Sequence, residues 1–169
     1  GTKNQKFIAD VKNLKIFLSQ KNFFNKKKIN IKELNIDNAN FFLLRSDFKK
    51  LNELSNNQFA KKKIIISNSN IFFKDNLDEI ITIIKIDKAI YFFDDKKKLN
   101  LFNLKGSTFG VPFVFDFTIK NDSVIKKKAN IEVKSLNLNI FNEFIHDHNS
   151  PLHGKNIISF PNTVIKTKY

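Results

Sequence analysis

Cysteine, methionine and tryptophan are absent from the sequence, and the chain has only 4 glycines, 3 prolines and one arginine, Arg45. A chain without cysteine cannot form a disulfide framework, a thiolate metal site or a cysteine nucleophile. The low glycine and proline content excludes a flexible linker or a proline-rich ligand. Apolar runs stay well short of the ~18 residues of a membrane-spanning helix, and no signal segment opens the chain, so any membrane anchor or export signal is expected outside it.

The residues that are present favour a folded domain. The chain has 169 residues, 41% of them hydrophobic, and its 20 phenylalanines exceed what a disordered chain carries. Its formal net charge of +14 is almost entirely lysine. Abundant lysine, asparagine, isoleucine and phenylalanine are typical of an AT-rich coding sequence, so the charge alone is a weak indication of a polyanion partner. We predict one β-rich segment, residues 1–169, belonging to a longer protein.

The strongest pattern is the alternation of apolar and polar residues, which is typical of strands with one apolar face. Slips of the alternation at Glu33 and after Val133 predict bulges, which bend a strand while keeping one face apolar. The predicted fold class is therefore mostly β, an elongated and curved antiparallel sheet that forms a groove, with one or two short helices. The candidate groove residues are Leu14, Ile16, Leu18, Ile29, Ile31, Ile84, Ile86, Leu99, Leu101, Phe113, Phe115, Phe117, Ile131 and Val133.

One helix is well indicated, near residues 47–55. Ser46 is positioned to cap it, Asp47 is an acidic residue in its first turn, and an apolar stripe follows at spacing i, i+3, i+6. Weaker helical turns are indicated at 19–25 and 142–145. The stretch 146–155, which holds the histidines and a proline, predicts a flexible loop.

Internal repetition accompanies the alternation. Three similar segments occur at 36–42, 66–73 and 86–93. Two interpretations stay open, namely chance recurrence in a biased composition or a repeating strand pair with a solvated lysine turn. Lysine triplets also recur, beginning at Lys26, Lys61, Lys96 and Lys126.

Catalytic and cofactor motifs are missing. The sequence has no Gly-x-Ser-x-Gly elbow, and the glycines at 106–110 precede a predicted strand rather than the helix that would hold a phosphate. The histidines His146, His148 and His153 could hold zinc if their loop folded back, but an exposed polar loop is favoured. We therefore predict no catalytic residue, no metal, no cofactor and no enzymatic activity.

The apolar face is the feature from which function is inferred, and three hypotheses stay open. Such a face must be covered by a second sheet, by helices or by a ligand. A closed β-sandwich would make the chain a structural or protein-interaction module, whereas an open groove would bind lipid acyl chains. A basic β-platform for nucleic acid is the third hypothesis. The near absence of arginine and the alternating phenylalanines disfavour it, so no nucleic-acid partner is predicted.

The order of segments resembles the AsmA-like family of bacterial envelope proteins. The similar segments are 11–19 (VKNLKIFLS), 22–24 (NFF), 31–45 (IKELNIDNANFFLLR), 66–75 (ISNSNIFFKD) and 104–113 (LKGSTFGVPF). The resemblance implies a twisted β-groove in the periplasm, anchored to the inner membrane by a segment outside this chain. It also implies phospholipid acyl chains and envelope proteins as partners, and a role in phospholipid transport between the inner and outer membranes and in outer-membrane assembly and integrity.

Overall fold

One open sheet contains all the strands of the described part of the chain. The computed structural model describes residues 9–19, 30–47, 59–147 and 153–169. These residues form ten strands whose order in the sheet is their order in the sequence, which confirms the predicted mostly β, curved sheet. The strands are β1 (Ala9–Leu18), β2 (Ile31–Leu44), β3 (Lys63–Lys74), β4 (Ile80–Asp94), β5 (Leu99–Thr108), β6 (Val111–Asn121), β7 (Val124–Val133), β8 (Leu138–Asp147), β9 (His153–Phe160) and β10 (Thr163–Lys168).

Strand direction departs from the prediction at one place. β2 and β3 run parallel, whereas the other neighbouring pairs of described strands are antiparallel. A tight turn cannot join two parallel strands, because the chain must return to the end at which the first strand began. Residues 45–62 make this crossover connection.

Helical structure in the described ranges is limited to two single 3-10 turns, Arg45–Asp47 and Lys134–Leu136. The helix predicted near 47–55 lies outside the described residues from position 48 onward, and the turn predicted at 19–25 lies outside them from position 20. The turn predicted at 142–145 is wrong, because these residues lie in β8 and pair with both β7 and β9. Among the described residues, no helix has the length and apolar character needed to cross a membrane.

The loop predicted at 146–155 is wrong at both of its ends. β8 continues to Asp147 and β9 begins at His153, so 148–152 remain, and these residues lie outside the described part. His146 stands opposite Ile125, and His153 stands opposite Ile145. Backbone pairing therefore fixes both ends of the predicted loop. Separately, no group of three or more metal-ligating side chains occurs among the residues described.

The predicted bulge at Glu33 is confirmed. Phe17 stands opposite Glu33, and the β1–β2 register shifts at the next residue. A second shift, which the sequence analysis did not predict, lies between Ile86 and Lys88 where β4 faces β5. It moves the later part of β4 by one residue relative to β5, so Ile86 and Ala89 share a face although they are three positions apart.

The slip of alternation after Val133 is a chain reversal rather than a bulge. β7 ends there, the second 3-10 turn follows, and Asn137 adopts a left-handed φ of 46°. Val133 then stands opposite Leu138, at the start of β8. The apolar residues before and after the slip therefore face the same side from two neighbouring strands, which is why the sequence pattern resembled one long strand.

The first two of the three similar segments form a structural repeat, because β2 and β3 lie side by side in constant register. The Asn70 side-chain amide donates to Asn40 Oδ1 at 3.0 Å, and the rings of Phe42 and Phe72 stack with centroids 5.3 Å apart. The third segment, 86–93, runs antiparallel to them in β4. The repeated unit in these two segments is therefore a single strand rather than the predicted strand pair.

Each of these two repeats bends at an asparagine. Asn38 and Asn68 have positive φ angles of 57° and 47°, a conformation that asparagine tolerates better than most residues with a side chain. The Asn68 side-chain amide donates to Asp37 Oδ1 at 2.9 Å, which fixes the bend from the neighbouring strand. Ile36 and Ala39 consequently lie on the same face.

The two faces of the sheet differ in polarity. Residues paired across strands lie on the same face, and we call the face that carries Phe113, Phe115 and Phe117 the apolar face and the other the polar face. The packed centre of the apolar face consists of Ile86, Ala89 and Leu104, and apolar side chains from β2, β3, β5 and β6 pack against it. Side chains from strands this far apart meet because the sheet curves, and no second sheet is present among the described residues.

Gly106 allows the close approach of two strands at this centre. It is buried and stands opposite Ile86 and Phe113. A Cβ atom added at Gly106 would collide with the backbone carbonyl of Lys85, next to the β4 bulge. The backbone cannot move away without disturbing the strand pairing, so this position requires glycine.

We expect Gly106→Ala to lower the free energy of unfolding by about 1–3 kcal/mol, because the added methyl group overpacks the centre of the sheet. Chemical denaturation measures the loss. The control is Gly110→Asn, since Gly110 has open space around its Cα and a positive φ that asparagine tolerates. Equal stability of the Gly106→Ala variant and the wild type would contradict the close approach.

The lysine triplets occupy two different settings. The triplet beginning at Lys96 lies in the exposed β4–β5 turn, as predicted, whereas the triplet beginning at Lys126 lies inside β7. The triplet beginning at Lys26 lies outside the described residues. A solvated lysine turn is therefore not a general feature of the repeat.

Three lysines surround one carboxylate on the polar face. Glu143 of β8 lies 3.1 Å from Lys126 Nζ, 3.3 Å from Lys128 Nζ and 3.1 Å from Lys155 Nζ. The hydrogen bond from Lys155, followed by the one from Lys126, lowers the pKa of Glu143 from 4.5 to about 2. Glu143 is only 7% exposed, so this ionised carboxylate holds β7, β8 and β9 together.

We expect Glu143→Gln to lower the free energy of unfolding by about 1–2 kcal/mol at neutral pH, since it removes charge-assisted bonds to partly exposed lysines. The pKa is depressed in the folded state, so this contribution is full above the unfolded value of 4.5 and disappears as the pH falls towards 2. Denaturation curves of wild type and variant should converge over that pH range. Glu132→Gln, on the same face, is the matched control, and a wild-type advantage that persists at low pH would contradict this assignment.

Candidate functional site

A single row of apolar side chains crosses the apolar face from one edge of the sheet to the other. Its members stand directly opposite one another in successive pairs of the described strands, and we call it the central row. It consists of Leu14, Ile36, Ile66, Ala89, Leu104, Phe115, Ile131, Ile140, Ile158 and Ile165. At about 4.8 Å between strands, the row extends over roughly 43 Å, which exceeds the ~30 Å hydrocarbon thickness of a bilayer.

Further rows widen this apolar surface on both sides of the central row. The row on one side is Ile16, Leu34, Ile64, Tyr91, Phe102, Phe117 and Ala129. The row on the other side is Val11, Ala39, Ser69, Ile86, Gly106 and Phe113. The hydroxyl of Ser69 accepts a hydrogen bond from the Ala39 amide at 3.0 Å and donates to the Ser67 carbonyl at 2.6 Å. The Ser69 hydroxyl is therefore satisfied within the sheet.

Most of the predicted groove residues share this face. Strand pairing and alternation place eleven of them on the apolar face, namely Leu14, Ile16, Leu18, Ile31, Ile84, Ile86, Phe113, Phe115, Phe117, Ile131 and Val133. Ile29 lies outside the described residues.

The prediction is wrong for Leu99 and Leu101, which lie on the polar face. Leu101 stands opposite Phe92 and Thr118, whereas its neighbour Phe102 stands opposite Phe117. Both odd and even positions of β5 carry large apolar residues, so its alternation fits either assignment. Pairing with β6 places the even-numbered residues of β5 on the apolar face.

Several members of the central row were missed by the sequence analysis. Ile140, Ile158 and Ile165 each lie next to at least one polar residue, so the alternation that marks a strand was present in the sequence. What the sequence did not contain was the register that aligns these isoleucines with Phe115, which lies two, three and four strands away from them.

Exposure of the central row increases from its middle towards the edges of the sheet. Ala89 is 1% exposed, whereas Leu14 on β1 is 56% exposed and Ile165 on β10 is 48% exposed. Curvature buries the middle of the row, and the described residues supply no layer that covers its ends. Contiguous apolar surface of this extent marks an interaction site in most soluble proteins.

The end of the crossover connection lies on the apolar face. The backbone amide of Phe59 donates to Asn100 Oδ1 at 2.8 Å, and its ring meets that of Tyr91 edge to face with centroids 5.9 Å apart. Asn100 is 3% exposed, and burial raises the pKa of Tyr91. Phe59 therefore covers one end of the apolar face at β4 and β5.

Polar side chains occupy one corner of the same face, on β8 to β10. The amide of Asn142 donates to Asn156 Oδ1 at 2.5 Å and to Tyr169 Oη at 3.3 Å. The amide of Asn156 donates to Thr167 Oγ1 at 3.3 Å. Lys127 lies on this face too, because it stands opposite Phe144 and its ammonium lies 5.9 Å from the centroid of that ring.

Comparison with known proteins identifies no relative. No family model, no curated protein and no solved structure matches this chain.

We expect Asn100→Ala to release the end of the crossover, because the amide of Phe59 loses its acceptor in an apolar setting. Hydrogen exchange at the Phe59 amide should accelerate about tenfold, with a loss of about 1–2 kcal/mol in the free energy of unfolding. Asn103→Ala is the control, since the Asn103 amide donates to Asp116 on the polar face. An unchanged exchange rate at Phe59 in the Asn100→Ala variant would contradict the proposed role of Asn100.

Proposed function

We propose that this chain is a non-enzymatic lipid-binding module whose apolar face holds the acyl chains of phospholipids. The observation that carries the proposal is the central row, which is apolar in all ten described strands and exposed at both ends. An acyl chain makes no hydrogen bonds, so it needs only continuous apolar surface from which water can be removed. The central row and its flanking rows provide such a surface.

The internal satisfaction of polar groups supports a lipid ligand. Ser69 and Asn100 are nearly fully buried on the apolar face, and both form hydrogen bonds within the protein. A hydrocarbon chain lying over these positions would therefore leave no polar group without a partner, which would otherwise be costly. Passive binding of this kind requires neither a metal nor a nucleotide.

The resemblance to AsmA-like proteins adds a cellular setting to the proposal. In that setting the module stands in the periplasm, attached to the inner membrane by a segment outside this chain, and takes part in phospholipid transport towards the outer membrane. The sheet would then serve as a surface along which acyl chains move between membranes. Any energy source for directional movement would belong to partner proteins.

The lipid proposal is tested with charges placed at the two exposed ends of the central row. We expect the double variant Leu14→Asp and Ile165→Asp to reduce co-purifying phospholipid at least about fivefold, because each carboxylate would have to be desolvated under an acyl chain. Native mass spectrometry with organic extraction measures the bound lipid. Ile86 and Phe115 are unsuitable positions, since Ile86 belongs to the packed centre, Phe115 packs against it, and a charge at either position would unfold the sheet.

The matched control is the double variant Phe17→Asp and Val164→Asp. Phe17 lies three residues from Leu14 on β1, and Val164 adjoins Ile165 on β10. Both point to the polar face and are similarly exposed, at 46% and 56%. The control should retain the lipid content of the wild type. Equal lipid loss in both double variants, or a wild type that is folded and lipid-free, would contradict the proposal and favour a protein partner on the apolar face.

A further inference from the structure

One cation lies on the apolar face, away from the other lysines. On the described strands β5 to β10, the paired positions of the apolar face include no lysine or arginine other than Lys127, and no aspartate or glutamate. It stands opposite Ile119, which is 1% exposed, on one side and opposite Phe144 on the other. Its neighbours in the sequence, Lys126 and Lys128, point to the polar face and pair with Glu143.

The surroundings of Lys127 are partly shielded from water. Its ammonium lies 5.9 Å from the centroid of the Phe144 ring, a contact that is attractive to a cation. Burial lowers the pKa of Lys127. A charge with reduced hydration gains more from an anion than a fully solvated lysine does.

Hydrogen-bonding groups lie beside this cation. Asn142 lies two residues before Phe144 on β8, so its side chain is on the same face as Phe144. It is diagonal to Lys127, with about 7–8 Å between the two backbones. Asn142 donates to Tyr169 Oη, which leaves the hydroxyl proton of Tyr169 outside that bond. The other N–H of Asn142 goes to Asn156 Oδ1, and Asn156 donates one N–H to Thr167 Oγ1. Asn142 therefore positions the Tyr169 hydroxyl and Asn156, whose second N–H is the other donor of this group.

Gly154 sets the position of the tyrosine. The amide of Gly154 donates to the Tyr169 carbonyl at 2.8 Å, and the amide of Tyr169 donates back at 3.1 Å. A Cβ atom at Gly154 would lie 2.6 Å from the Tyr169 ring and hydroxyl. The aromatic ring therefore uses the space left by the missing side chain, beside Phe144, which stands opposite Gly154.

We infer that the corner formed by Lys127, Asn142, Asn156 and Tyr169 binds the anionic head of an amphiphile whose acyl chain lies along the central row. This inference rests on the proposed function. The ligand class is a lipid with one carboxylate or phosphate head, because the corner combines one cation with the Tyr169 hydroxyl and one N–H of Asn156 at the border of an apolar surface. The head group fixes the direction in which the chain lies across β7 and its neighbours.

Three ligands that share one acyl chain test the headgroup site. Oleate carries a carboxylate, oleoyl lysophosphatidic acid carries a phosphate, and monoolein is neutral. Isothermal titration calorimetry of the purified chain should give tighter binding of the two anionic ligands than of monoolein. We expect Lys127→Leu to weaken binding of the anionic ligands about tenfold, the usual effect of losing one charge-assisted bond, and to leave monoolein within about twofold.

Two further variants separate a charge effect from a structural one. Lys127→Arg keeps the cation and should retain most of the affinity for the anionic ligands. Lys128→Leu removes the neighbouring charge on the polar face, where Glu143 keeps Lys126 and Lys155 as partners, and should leave all three affinities unchanged. The anionic ligand that loses more affinity in Lys127→Leu identifies whether the head is a carboxylate or a phosphate.

The possible failures are distinguishable. If Lys127→Leu does not change the binding of any of the three ligands, the headgroup site is wrong. The proposed function still stands in that case if the double variant Leu14→Asp and Ile165→Asp weakens the binding of monoolein. A similar loss for monoolein and the anionic ligands in Lys127→Leu also overturns the site, since it indicates a damaged face. If the wild type binds none of the three ligands, both the headgroup site and the lipid-binding function are wrong.

Discussion

Cross-strand register is the constraint on which the other features of this protein depend. A one-residue slip between two strands would turn every side chain of the displaced strand to the opposite face. Register is kept through all ten described strands, with local shifts at Glu33, between Phe73 and Lys74, and at the bulge between Ile86 and Lys88. The shifts at Glu33 and at the β4 bulge keep apolar residues on the same side, and the central row stays unbroken. The polarity of the two faces and the candidate site both follow from this alignment.

Curvature is the second consequence of this arrangement. A sheet with one apolar face and no second sheet in its described part can bury that face only by bending around it. Small residues such as Ala39, Ala89 and Gly106 allow close approach at the middle of the sheet, where large side chains from distant strands converge. Burial falls towards both edge strands. The same bending that stabilises the middle therefore leaves accessible apolar surface at the ends, which is where the proposed ligand meets the protein.

Charge is distributed according to face rather than according to sequence. The triplet that begins at Lys126 has two lysines around Glu143 on the polar face and one, Lys127, on the apolar face. The net charge of +14 gives no information about this division. The three-lysine cluster contributes stability to β7, β8 and β9, whereas Lys127 has surroundings that suit recognition of an anion. Neighbouring residues of one type thus have different roles because a strand alternates its side chains.

The sequence by itself determined the mostly β class, the amphipathic strands and most positions of the apolar face, because the two-residue period of a strand is a local property. It also determined the bulge at Glu33, where the period visibly slips. Only the tertiary structure decided that Leu99 and Leu101 belong to the polar face, that β2 and β3 are parallel, and that Ile140, Ile158 and Ile165 continue the row from Phe115. These features depend on which strands pair and in which register, and pairing is fixed by contacts between residues far apart in the chain.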